Sequence, residues 1–315
     1  MTYVSNDSSY WPQISENIVV NYWIVAAGIV VVYDWVLTLG QEIELIWKQR
    51  LSLMTVLYFI IRYIGIPYSV VSLLQTMPSV SLTDAVSAII YSAVGGTNVT
   101  LFAMFGVIMI ARLHAMYQGS RTILIFLVII FLAINITCGV IAAIGFNNVV
   151  AEEFILSGTY MCYYGLDGDE QLLFSMAWTI STVWEVVALC LSVWAAVKHF
   201  RELRRLGPST GSTIGDCFRV LIQSHVLYFA SYVCVSCLQI ADLSPEISNS
   251  HSIGVQILGG AAQILLVVQM FVLGPRLVLS VREYHAKLVA YSDVETSMRS
   301  IVCREHVHVS TSSTV

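Results

Sequence analysis

Charge is scarce in this sequence: only 11% of its 315 residues are Asp, Glu, Lys or Arg, against 57% hydrophobic ones. A chain of that composition exposes too much apolar surface to stay dispersed in water, which excludes a soluble globular protein. Lysine is confined to Lys48, Lys198 and Lys287, all outside the long apolar runs, so no lysine is placed to carry a retinal Schiff base. Metal-ligand clusters, phosphate-binding loops and nucleophile-base pairs are missing too. The expectation is a protein that is not an enzyme, holds no metal or cofactor and has no nucleic-acid partner.

What the sequence does hold is long hydrophobic runs. A hydrocarbon core of about 30 Å needs roughly 20 apolar helical residues to cross it. Seven segments meet this, at about 18–39, 53–74, 90–111, 122–144, 172–197, 219–240 and 254–275 (helices 1 to 7). Fourteen of the fifteen Lys and Arg residues fall on alternate connections and the tail: Lys48 and Arg50 after helix 1, Arg112 and Arg121 after helix 3, Lys198, Arg201, Arg204, Arg205 and Arg219 after helix 5, and Arg276, Arg282, Lys287, Arg299 and Arg304 after helix 7. The N-terminus and the connections after helices 2, 4 and 6 hold ten acids and no base. Lys and Arg collect on cytoplasmic flanks because they resist translocation, so the N-terminus is expected outside and the C-terminus inside. The fold class is therefore an all-α polytopic membrane protein: residues 1–17 an extracellular N-terminus, 18–287 a seven-helix bundle, 288–315 a disordered cytoplasmic tail. The lipid bilayer is its first partner, and its basic inner face suits an anionic cytoplasmic leaflet. Helix 1 should be an uncleaved anchor, since no basic region precedes it.

Topology sorts the modification sites. Among three N-x-S/T sequons, Asn6 lies outside and is the candidate glycosylation site, whereas Asn98 and Asn135 fall inside helices 3 and 4. Cys162 sits in an outer connection with Cys138 as its one conceivable disulfide partner, and Cys234 and Cys237 within helix 6 read as packing. Cys217, cytoplasmic and close to the bilayer, is the lipidation candidate. The run from Gly207 to Ser212 after helix 5 reads as a flexible loop.

Ionisable groups in hydrocarbon cost roughly 2.5 to 3.5 kcal/mol each at a helix centre, so they face partners or wet cavities. Asp34, Arg62 and Glu185 are three such groups. At 1.5 Å per residue they lie roughly 8, 14 and 18 Å from the inner ends of helices 1, 2 and 5. An Asp34 to Arg62 ion pair is expected, with Glu185 as a third member; it either fixes helix register or takes part in function. Ser175, Thr179, Thr182 and Glu185 recur at spacings of 4, 3 and 3, placing them on one face of helix 5 that should look inward. Gln256 and Gln263 flank Gly259 and Gly260 on helix 7, where an amide ladder would accompany a close helix approach. Asp34, Arg62, Glu185, Tyr58, Thr182 and Gln263 make up the candidate intramembrane polar network.

Receptors of the largest hormone-binding class carry an acidic-Arg-aromatic triplet ending helix 3 and an Asn-Pro-x-x-Tyr near the end of helix 7. Here those places read Ala111-Arg112-Leu113-His114 and Gly274-Pro275-Arg276-Leu277, and helix 3 has no Cys. A different pattern is present: Tyr33-Asp34-Trp35-Val36-Leu37-Thr38-Leu39, then Glu42-Ile43-Glu44-Leu45-Ile46-Trp47-Lys48, then Leu57-Tyr58-Phe59-Ile60-Ile61-Arg62-Tyr63. It resembles the signature of a large fungal family of multi-pass membrane proteins defined by an N-terminal domain of unknown function. Ala111-Arg112-Leu113-His114-Ala115-Met116-Tyr117 and Trp184-Glu185 resemble later parts of that family, with His114 departing from its usual aromatic. The resemblance implies a fold and supplies no activity. The sequence reading is a receptor-like protein of the plasma membrane that senses an extracellular ligand of unknown identity and couples to a G protein or other cytoplasmic partner at the loops after helices 3 and 5. A transporter or proton pathway using Asp34, Arg62 and Glu185, and a structural membrane scaffold, are the alternatives.

Overall fold

A computed structural model describes residues 3–48, 52–80, 83–117, 119–148, 150–165, 168–205, 212–242, 244 and 253–283. It is dominated by helices: α1 (Trp11–Glu42), α2 (Leu53–Thr76), α3 (Asp84–Met116), α4 (Arg121–Asn148), α5 (Gly168–Arg205), α6 (Ser212–Asp242) and α7, which begins as Ile253–Val268. Six of these helices are long and apolar enough to cross a membrane, and α6 adds the shorter apolar stretch Val226–Asp242. The chain is thus a multi-pass membrane protein. Helices suit that setting because every backbone N–H and C=O is satisfied within the segment.

Each helix covers its expected apolar run and extends beyond it. α1 carries Pro12 in its first turn, where a missing N–H costs nothing, and continues past Glu42 through a π-helical turn, Ile43–Trp47. α2 opens with a capping box, in which the Ser52 hydroxyl accepts from the Thr55 N–H and the Thr55 hydroxyl from the Ser52 N–H, both at 3.3 Å. At its other end, Asn21 of α1 donates to the Thr76 carbonyl at 2.7 Å, tying α1 to α2. α7 passes through a second π turn, Gln269–Leu273, and resumes as α-helix to residue 283.

α1 packs on α2 and α7, and the remaining neighbours follow in chain order, with α3 also against α5. The core is built largely from α3, through Leu101, Phe105, Ile108, Met109 and Leu113, together with Tyr58, Phe229, Tyr232 and Met270. α7 buries 61% of its apolar span and α4 only 11%, so α4 presents Ile125, Ile129, Leu132 and Ile136 outward, as a lipid-facing helix should.

One part of the all-α expectation needs correction. Residues 150–165, read from sequence as an acidic outer connection, form a hairpin of β2 (Val150–Leu156) and β3 (Thr159–Gly165), and β1 (Tyr3–Ser5) pairs parallel to β2. Ser157 (φ 49°) and Gly158 (φ 81°) make a two-residue turn with both residues left-handed, the type I′ geometry that matches strand twist. The Tyr160 N–H donates to Pro78 O at 3.1 Å and the Glu153 N–H to Asp84 Oδ1 at 3.2 Å, so the sheet sits over the connection between α2 and α3.

Several sequence expectations lie outside the described residues: the tail from 288, the loop 207–211 and the Cys217 side chain. Asn6 is described and exposed. Cys138 and Cys162 are both free thiols; Cys138 instead lies 3.5 Å from the Ser181 hydroxyl.

Candidate functional site

Asp34, Thr38 and Glu42 follow one another at intervals of four, which stacks them on one face of α1, and all three are buried. α2 turns Tyr58 and Arg62, also four apart, toward that face. Arg62 Nε lies 2.6 Å from Glu42 Oε2, its Nη1 lies 3.7 Å from Asp34 Oδ2, and its Nη2 donates to Trp35 O at 2.8 Å. The guanidinium carbon stands 5.8 Å from the Tyr58 ring centroid, within cation–π range.

Glu42 is fully enclosed, at 0% exposure, and its carboxylate is correspondingly well served. Oε1 accepts from Trp47 Nε1 and from the Tyr63 hydroxyl, each at 3.0 Å, while the Tyr58 hydroxyl donates to Oε2 at 3.3 Å. α7 completes the group from below. Arg276 Nε donates to Asp34 Oδ1 at 2.6 Å with half its side chain still exposed. Arg282 donates to Leu45 O at 3.2 Å, to Ser52 Oγ at 3.3 Å and to Thr55 Oγ1. Asp34, Glu42, Arg62 and Arg276 sum to zero charge, so mutual neutralisation offsets the cost of holding ions in hydrocarbon.

This arrangement corrects the sequence reading in three places. Glu42, noted there only within the resemblance motif, and Arg276, placed there after helix 7, are ion-pair partners of the buried residues, because α1 and α7 run further than their apolar runs. Glu185 is not a partner of Asp34 or Arg62. Thr179, expected on an inward face of α5, is exposed and satisfies its hydroxyl on Ser175 O at 2.8 Å. Thr182 and Glu185 do face inward, at 8% and 3% exposure, and the Thr182 hydroxyl donates to Trp178 O at 2.9 Å.

Glu185 belongs to a second feature, a cavity of about 360 Å³ between α3, α4, α5 and α6. It is bordered by Tyr91 and Gly95 early in α3, Phe146 late in α4 and Phe174 early in α5, which places it in the half of the bundle nearest the sheet. Asn98, Asn135 and Ser181 are among its polar lining residues, and Glu185 and Tyr232 lie deeper along α5 and α6. Glu185 Oε2 is buried with no hydrogen-bond partner, and Ser236 stands beside the carboxylate. Gln263 is half-buried on α7 and is not among the cavity's lining residues. The close approach expected nearby is present: a Cβ on Gly260 would lie 2.3 Å from the Trp23 indole of α1.

Residues 22–67 match a family of unknown function, DUF6533. The matched stretch runs from Tyr22 of α1 to Pro67 of α2, so it contains Asp34, Glu42, Trp47, Tyr58, Arg62 and Tyr63. The matched segment is therefore the helical hairpin that carries most of the ion-pair cluster, with α7 adding Arg276 and Arg282. No curated protein matches the chain.

Proposed function

We propose that this chain is a seven-span, receptor-like protein of the plasma membrane, akin to the fungal multi-pass proteins its first two helices resemble. In this reading the N-terminus, glycosylated at Asn6, and the three-stranded sheet face outward, the tail is cytoplasmic, and α6 is the seventh span. A ligand enters the cavity from the side of the sheet, and a G protein or similar partner engages the loops after α3 and α5. The chain acts by binding and has no enzymatic activity of its own.

The observation that carries this reading is the position of Phe105. It lines the cavity, its ring lies 5.7 Å from that of Tyr232, and it also rests on α7, where a Cβ at Gly274 would stand 2.3 Å from Phe105 Cε1. Gly274 is two residues before Arg276, which holds Asp34. A ligand that moves Phe105 therefore pushes on the segment that closes the ion-pair cluster, at the opposite end of the bundle. Such a linkage between two distinct sites is what a receptor requires. The transporter reading needs Asp34, Arg62 and Glu185 on one continuous path, and the separation of Glu185 from the other two gives it less support.

The test is association of the full-length protein with Gα subunits in living cells, read by proximity labelling. Association is expected, and it should weaken when Lys198 and Arg201 on the α5 flank are both changed to Glu. No association with any Gα would overturn the reading.

A further inference from the structure

The cavity's lining is unusual in its balance of groups. Nine of its 24 lining residues are aromatic, among them Phe102, Trp178, Trp184 and Tyr232. Among the described residues, Glu185 is the one carboxylate that lines it, and no Lys, Arg or His does. A carboxylate so placed has no cation to neutralise it among the described residues around the cavity, and although Ser236 hydrogen-bonds the carboxyl group, its Oε2 has no hydrogen-bond partner. Burying an acceptor without a partner is unfavourable, more so for a charged group, so the site is poised to gain from a ligand that brings a donor and a positive charge.

The walls are shaped for a flat apolar body. Phe146 and Phe131 lie directly on glycines, where a Cβ on Gly95 would come within 2.4 Å of one ring and a Cβ on Gly106 within 2.0 Å of the other. With hydrogen in place of a side chain, the rings retreat against α3 and leave open space between the helices. The volume of about 360 Å³ is that of a small-molecule pocket. Aromatic faces carry negative potential, so they favour a cation lying over them.

We propose that this cavity is a binding site for a compact aromatic or aliphatic amine, with the ammonium group paired to Glu185 and the apolar body between the aromatic side chains of α3, α4 and α5. The inference rests on the receptor reading for its biological sense, but binding itself needs no cytoplasmic partner. Asn98 and Asn135, present as amides on the cavity wall, supply hydrogen bonds to any polar substituent on the apolar body.

The experiment uses the full chain in lipid nanodiscs with two probes of matched shape, 1-naphthylmethylamine and 1-naphthylmethanol, titrated calorimetrically. The ammonium form is expected to bind about ten-fold more tightly than the alcohol, the advantage a charge-assisted hydrogen bond gives. Glu185→Gln should abolish that advantage, and Glu185→Asp should retain part of it. A second readout covers the case in which Glu185→Gln fails to fold: in the unaltered protein, the amine should protect Cys138, which lines the cavity, from alkylation, as located by mass spectrometry, and the alcohol should protect it less. Equal binding of the two probes, binding of neither, or an ammonium preference that survives Glu185→Gln would each overturn the inference. Amine binding without Gα association would instead leave it standing and remove the receptor reading.

Discussion

Arg62 sits 2.6 Å from Glu42 and 3.7 Å from Asp34, so the buried arginine is held chiefly by the acid that lies nearer the end of α1. Asp34 is shared with Arg276, which keeps half its side chain exposed. The two acids therefore carry different structural weight.

That difference predicts an order of stabilities. Glu42→Gln leaves Arg62 without its close counter-ion in a fully enclosed place and should cost about 3 kcal/mol, since breaking a buried pair strands a charge. Asp34→Asn should cost less, because Arg62 keeps Glu42. Arg276→Gln, at a half-exposed site, should cost about 1 kcal/mol or less. Thermal unfolding of the purified variants in one detergent gives the ranking, and a larger loss for Asp34→Asn than for Glu42→Gln would contradict it.

Glycines inside the helices differ in what an added Cβ would meet. Gly96 and Gly139 have nothing within 4 Å of an added Cβ, so alanine there should stabilise by about 0.5–1 kcal/mol through helix propensity alone. Gly274 and Gly260 face Phe105 and Trp23 at 2.3 Å, and alanine at either should destabilise by about 1–3 kcal/mol through overpacking. Gly106→Ala should act differently again. The Phe131 ring can swing into the cavity, so the expected result is a small loss of stability together with loss of naphthylmethylamine binding.

The β2–β3 turn places Ser157 and Gly158 in left-handed conformations. Asn tolerates that region better than Ser, so Ser157→Asn should slow amide exchange across 150–165, and Gly158→Val should accelerate it. Equal exchange in both variants would argue against the hairpin.

Membrane orientation can be read from two residues. With the sheet outside, Cys162 of β3 should react with a membrane-impermeant maleimide on intact cells, and Asn6→Gln should remove a glycosidase-sensitive mass shift. Labelling of Cys162 only after permeabilisation would reverse the topology.

The helices were legible because apolar runs of membrane length leave few alternatives, and all seven predicted segments fall within helices. The ion-pair cluster was half legible. Asp34 and Arg62 stand out as charges within hydrophobic runs, whereas Glu42 lies beyond the apolar run of 18–39 and looks like a solvated flank. Its signal was the spacing Asp34, Thr38, Glu42, a polar stripe continuing the buried face by two turns. Arg276 is hidden for the same reason, as the apolar run of α7 ends before the helix does. The hairpin was hidden by Glu152 and Glu153, although Phe154 to Leu156 and Thr159 to Cys162 flank a Ser-Gly pair suited to a tight turn. Asn98 and Asn135 fall in N-x-S/T sequons inside apolar helices. Two amides within apolar helices are equally a sign of the cavity they line.

The π turn at Gln269–Leu273 places an additional residue within α7. Each residue of an α-helix turns the chain by about 100°, so removing one residue from that stretch would swing Arg276 and Arg282 together away from Asp34 and from the start of α2. The bilayer would barely register so small a deletion, because the helix would remain long and greasy enough to span it. Spacing along this stretch is thus under tighter constraint than hydrophobicity, and single-residue insertions or deletions there should be far less tolerated than substitutions of one aliphatic side chain for another.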